Sequence, residues 1–118
     1  MTKNITRRKF TKAAAASSVF SLIPGKVIGA NEKVNVAFIG CGAQGAGDAH
    51  NVNATKLVNP VALCDVAMGT RHTAGTENKF KGIPKFKDFR KMFDKMSNEI
   101  DAVTIGVPDH AHFPISMR

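Results

Sequence analysis

Residues 34–39, Val-Asn-Val-Ala-Phe-Ile, run directly into Gly40-Cys41-Gly42-Ala43-Gln44-Gly45. An apolar run of that length, rich in β-branched residues and closed by glycine, reads as a buried strand that must turn sharply at its end. A second apolar run, Pro60-Val61-Ala62-Leu63-Cys64, is closed by Asp65, twenty residues after Gly45. Strand, G-x-G-x-x-G, helix-length stretch, strand and acid follow in that order. This restricts the chain to a βαβ unit wound around a diphosphate-bearing ligand.

Each glycine has a physical reason. Gly40 lets the chain leave the strand where a side chain would clash, Gly42 lets backbone approach a diphosphate, and Gly45 lets the next helix pack close to the sheet. The first turn of that helix offers unpaired N–H groups and the positive end of its dipole. Asp65, at the tip of the second strand, is placed to accept hydrogen bonds from the ribose hydroxyls of an adenosine. A 2′-phosphate would meet its carboxylate as a like charge, which favours NAD; Arg71, six residues on, leaves NADP possible. The cofactor-binding candidates are therefore Gly40, Gly42, Ala43, Gln44, Gly45 and Asp65.

Further along, strands and helices alternate. The spacing predicts a strand over 33–39, a helix from about Gly45 to Ala54 and a strand over 60–64 with Pro60 at its start. A helix over 67–80 follows, weakened by Gly69, Thr70, Thr73, Gly75 and Thr76. Lys85-Phe86 reads as a very short third strand. Phe89, Met92, Phe93 and Met96 fall at i, i+3, i+4, i+7 after Asp88, a good N-cap, and predict a helix whose apolar face meets the sheet. Ala102 to Val107 reads as a buried parallel strand ended by Pro108. Phe113-Pro114 reads as the start of another helix. The expected architecture is α/β: a Rossmann-type parallel sheet, order 3-2-1-4, with right-handed crossovers.

The first thirty residues have a different composition. Thr6-Arg7-Arg8-Lys9-Phe10-Thr11-Lys12 resembles the twin-arginine export motif, with Thr11 where leucine is usual. Ala13 to Ile23 is an apolar stretch too short to serve as a stable membrane anchor, and Ile28-Gly29-Ala30 offers a cleavage site. The expectation is a twin-arginine signal peptide over 1–30, removed after Ala30, and a nucleotide-binding domain over 31–118. The twin-arginine translocation machinery would then be a partner and the location periplasmic or extracytoplasmic. Six of the 17 basic residues lie in this leader, and none of the acids does. The remainder holds 11 basic and 9 acidic residues, a net of +2 rather than the +8 of the whole chain. That balance gives no support to nucleic-acid binding. Lys79, Lys81, Lys85 and Lys87 read as a solvated face.

Val107-Pro108-Asp109-His110-Ala111-His112 falls at the carboxyl end of the fourth strand, where this fold places the nicotinamide half of a dinucleotide. With Val34–Gly45, Ala62-Leu63-Cys64-Asp65-Val66, Lys87-Asp88-Phe89-Arg90-Lys91-Met92 and Ile100-Asp101-Ala102-Val103, this loop resembles the Gfo/Idh/MocA oxidoreductases. The likeness covers nearly all of residues 31–118. It implies the N-terminal domain of an NAD(P)-dependent enzyme acting on a sugar, polyol or related compound by hydride transfer. It also implies that Pro108, His110 and His112 contact the nicotinamide half. Val107 stands where the family usually has threonine. The family's reacting lysine, in a Glu-Lys-Pro motif after the next strand, has no counterpart here, nor does the C-terminal α/β substrate domain. No catalytic residue is therefore assigned, and the chain reads as an incomplete member.

Three functional readings follow: a periplasmic hydride-transfer enzyme represented by its cofactor domain; a related glycoside hydrolase using NAD for transient oxidation and elimination; and a non-catalytic nucleotide-binding fragment. His110, His112 and Asp109 are too few ligands for a metal site. His50 and His72 read as surface or helix residues without a role. Cys41 and Cys64 are expected to be free thiols, since a bridge would distort the phosphate turn. A chain ending after the fourth strand is also expected to leave that strand's outer edge unpaired and to be prone to aggregation.

Overall fold

The computed structural model describes residues 32–118; the basic leader, its apolar stretch and the expected cleavage site lie outside the described residues. The elements are β1 (Val34–Ile39), α1 (Ala43–Ala54), β2 (Val58–Cys64), α2 (Ala74–Lys79), β3 (Lys85–Phe86), α3 (Phe89–Met96), β4 (Ala102–Ile105) and α4 (Asp109–Ser116). The four strands form one parallel sheet in the order β3-β2-β1-β4, the 3-2-1-4 arrangement that alternating strands and helices predict. No helix among the described residues is long and apolar enough to cross a membrane.

Successive strand residues point to opposite faces, and this divides the core in two. Val36 and Phe38 of β1 join Leu63 of β2 on one face, where they meet Cys41, Ala49, Met68 and Phe80. Ala37 and Ile39 join Ala62 and Cys64 on the other, against Met92 and Met96 of α3 and Ile115 of α4. A strand buried on both faces has no polar alternation to show, so residues 36–39 of β1 and the end of β2 read as unbroken apolar runs. The α3 stripe is legible for the opposite reason. Met92 and Met96 are buried, with Phe89 and Phe93 packed beside them. Asp88 caps the helix by accepting from the Arg90 N–H at 2.9 Å.

Several boundaries differ from expectation. β2 begins at Val58, not Pro60. Pro60 is tolerated inside the strand because β3 pairs only with Leu63 and Cys64, so β2 has one neighbour at that level. The pairing with β1 skips Val61, moving from Val36↔Pro60 to Ala37↔Ala62, a one-residue bulge. The helix expected over 67–80 shrinks to Ala74–Lys79. Before it the chain makes i→i−3 turns, with Met68 N–H on Asp65 O, Thr70 N–H on Ala67 O and Thr73 N–H on Thr70 O. Gly69 has φ +87, a left-handed conformation that stops a helix. β4 ends at Ile105 and is half-buried, as an edge strand bonded to β1 alone. α4 starts at Asp109, and Pro114 lies inside it instead of opening it.

Candidate functional site

β1, β2 and β4 all point their carboxyl ends at one cavity of about 780 Å³, within the size range of ligand pockets. It lies beside the β1–β4 boundary, where the strand order reverses and doubly wound sheets receive ligands. Gly40, Gly42, Ala43, Gln44, Asp65, Pro108, His110 and His112 line it. Of the nine candidates, Gly45 alone lies behind the wall.

The glycine loop is shaped by close backbone approach. Gly40 has φ +87, as a sharp turn off the strand requires. A Cβ there would collide with the Gly106 carbonyl, and one on Gly45 would collide with the Gly40 carbonyl and stand 2.9 Å from that of Gly106. Gly45 is therefore the residue that lets α1 pack on the strand ends, as read from the sequence. At Gly42 a Cβ would stand 3.2 Å from the His72 carbonyl, so this glycine also closes the underside of the loop. The helix begins at Ala43, two residues earlier than expected, with Gly42 as its extended N-cap. Ala43 itself has φ +44, an uncommon conformation for a residue with a side chain.

No side chain caps α1, and its first turn carries no acid. Four N–H groups at a helix start need partners. Here those of the first turn stand at the cavity wall formed by Ala43 and Gln44, an arrangement suited to an anion. The contrast with α3, capped by Asp88, is direct.

Asp65 lines the cavity next to the glycine loop and is held in place. Its Oδ2 accepts from the Cys41 N–H at 2.8 Å, and its Oδ1 from the Ala67 N–H at 2.8 Å. Each carboxylate oxygen has two lone pairs, so one per oxygen remains for a ligand hydroxyl. The same side chain therefore braces the glycine loop and faces the cavity.

At the β4 end of the cavity, Pro108 is the N-cap of α4, and His110 and His112 follow in its first turns. His112 Nε2 lies 2.8 Å from the Val107 carbonyl. A carbonyl only accepts, so Nε2 carries the proton and Nδ1 is the ring atom left for a ligand. Among the described residues no group of three or more His, Cys, Asp or Glu is arranged to hold a metal.

Other residues enter to which sequence reading gave no part in the site. Gly106 lines the cavity and packs against Gly45, where a Cβ would stand 2.5 Å from the Gly45 Cα. Lys87 and Phe89 also line the wall. Thr76, from α2, donates to the Cys41 carbonyl at 2.7 Å. No local signal marks this contact, because its partners are 35 residues apart. The lysines read as a solvated face are exposed; Lys85 pairs with Glu77 at 3.3 Å and Lys79 lies 3.3 Å from His50.

Both cysteines are free and buried. Burial pushes the Cys41 thiol up to about 12, and does the same to Cys64 with help from the neighbouring Cys41. Neither is a nucleophile at neutral pH. Glu77 is shifted the other way. Hydrogen bonds from Thr73 Oγ1 at 2.6 Å and the Gly69 N–H at 2.7 Å hold its carboxyl below the usual range, with Lys85 adding to them.

A glycine turn opening into an uncapped helix, with a braced carboxylate beside it at the end of the next strand, defines the nucleotide-binding half of a Rossmann domain. The comparison with known families takes the assignment further. Residues 34–118 match the Gfo/Idh/MocA oxidoreductases, described as an oxidoreductase family with an NAD-binding Rossmann fold, and the chain belongs to that family. No curated protein matches the chain.

Proposed function

We propose that the chain is the nucleotide-binding portion of an exported oxidoreductase that transfers hydride between NAD and a sugar, polyol or related compound. The observation that carries the reading is the cavity itself, lined both by the uncapped start of α1 and by a carboxylate fixed against the glycine loop. Nicotinamide supplies the hydride acceptor or donor when bound. The chain's own residues bind and orient. The N–H groups of the Gly42–Gly45 turn hold the diphosphate, Asp65 holds the adenosine ribose, and Pro108, His110 and His112 border the nicotinamide half. None of them is assigned a proton transfer.

The preference for NAD follows from the bracing of Asp65. A carboxylate tied to two backbone N–H groups cannot swing aside for a 2′-phosphate without giving up both bonds. Calorimetry on the full chain is expected to show NAD binding at least about tenfold more tightly than NADP, a difference of roughly 1.4 kcal/mol. Asp65→Asn is expected to narrow that gap. Equal affinities in the unaltered chain would refute the preference.

Export rests on Arg7-Arg8 and the apolar stretch behind them. A twin-arginine route carries folded cargo, which suits a domain that loads its nucleotide in the cytoplasm. Arg7→Lys with Arg8→Lys is expected to hold a reporter fusion inside the cell; continued export would count against this part of the reading.

A further inference from the structure

The peptide linking Cys41 to Gly42 is fixed by two side chains from different elements. Just before it, the Cys41 N–H donates to Asp65 Oδ2 at 2.8 Å. Within it, the Cys41 carbonyl accepts from Thr76 Oγ1 at 2.7 Å. Thr76 is 1 % exposed, so its hydroxyl has no water to bond and its proton goes to this carbonyl. Its helix is in turn fastened: Glu77, the next residue, accepts from the Gly69 N–H, Thr73 Oγ1 and Lys85 Nζ. In a planar trans peptide the C=O and N–H point in opposite directions. A carbonyl held toward α2 therefore turns the Gly42 N–H away from α2, on the residue that lines the cavity.

We propose that Thr76 is a positioning residue for the dinucleotide: by holding the Cys41 carbonyl against α2, its hydroxyl presents the Gly42 N–H to the diphosphate. The inference rests on the dinucleotide reading above. It gives a function to a buried threonine on a short helix that itself never reaches the cavity. Without the hydroxyl, the carbonyl loses its partner and the peptide is free to rotate, so the donor is no longer preset for the anion.

Two substitutions separate positioning from packing. Thr76→Val keeps the shape and the methyl group but removes the hydroxyl; Thr76→Ser keeps the hydroxyl but removes the methyl. NAD affinity of the full chain is measured by calorimetry and the thermal midpoint by far-UV circular dichroism. Thr76→Val is expected to weaken NAD about tenfold, the scale of one charge-assisted hydrogen bond. Thr76→Ser is expected to stay within about twofold of the unaltered chain while melting lower, since it has lost a buried methyl. Affinity that follows the melting point instead of the hydroxyl overturns the proposal, as does a Thr76→Val chain that binds normally. Should Thr76→Val not fold, the unaltered chain labelled with ¹⁵N-glycine gives the answer. The Gly42 amide proton is expected to move downfield on adding ADP-ribose, and an unmoved signal overturns the proposal. An unaltered chain that binds neither NAD nor ADP-ribose refutes the dinucleotide reading itself, and this inference with it. Normal binding with an indifferent Thr76→Val refutes only the role of Thr76.

Discussion

Gly106→Ala tests how tightly the loop is built. The new Cβ would stand 2.5 Å from the Gly45 Cα and 3.3 Å from the Gly45 nitrogen. Carbon atoms in contact rest at about 3.5–4.0 Å, so the end of β4 and the start of α1 must part by roughly 1 Å. Both partners are backbone, and neither can rotate out of the way as a flexible side chain would. Overpacking of this kind costs about 1–3 kcal/mol. In a domain of this size each kcal/mol shifts the melting midpoint by about 4–8 °C, so a fall of at least several degrees is expected. The chain has no Trp or Tyr, which makes far-UV circular dichroism the natural probe. Gly47→Ala is the control. Gly47 lies on α1 with nothing within 4 Å of its Cβ, so alanine should add about 0.5–1 kcal/mol of helix stability. A Gly106→Ala chain that melts at or above the unaltered one would refute the contact, and with it the account of why the loop needs glycine at 40, 45 and 106.

Four other expectations follow from individual side chains. The buried thiols of Cys41 and Cys64, pushed up to about 12, should resist a thiol reagent at pH 8 until the chain is unfolded; rapid labelling of the native chain would contradict their burial. Because their folded values are raised, the stability they contribute is complete below the ordinary thiol range near 8.5. It should drain away as pH rises from there toward 12, read as a falling urea midpoint. Glu77 has the opposite sign: its lowered value means stability present above the ordinary carboxylate range and lost as pH falls through the folded value. Glu77→Gln should therefore flatten the acid side of the stability profile, and an unchanged slope would count against it. Asp88→Ala should cost about 1 kcal/mol by removing the cap of α3, checked by the same melt.

What the sequence disclosed depends on how local each cause is. β1, the glycine turn and Asp65 are visible because short-range geometry requires those residues at those spacings. The α3 stripe is visible because Met92 and Met96 repeat at the helical period under an aspartate cap. The segment after Asp65 misled because its apolar residues suit a helix while Gly69 and the threonines do not. Thr73 gives its one hydroxyl proton to Glu77 at 2.6 Å, and the Gly69 N–H bonds the same carboxylate instead of a helical carbonyl. The helix α4 was expected but its start was misplaced, because Pro114, usual at a helix start, here sits in the sixth position. Gly106 and Thr76 could not have been found locally. One is required by a helix start sixty residues earlier, the other by a carbonyl in the glycine loop, and only the folded sheet brings those partners together.

The central claim is that the glycine turn and Asp65 together hold a dinucleotide. Titrating the uniformly ¹⁵N-labelled full chain with NAD and following each amide tests it most directly. The expected result is saturable one-to-one shifts centred on residues 40–45, Asp65 and residues 108–112, with β3 and the far end of α1 undisturbed. An unchanged spectrum at millimolar NAD, or shifts gathered on the exposed Phe113 and Met117 side of α4 instead, would contradict it.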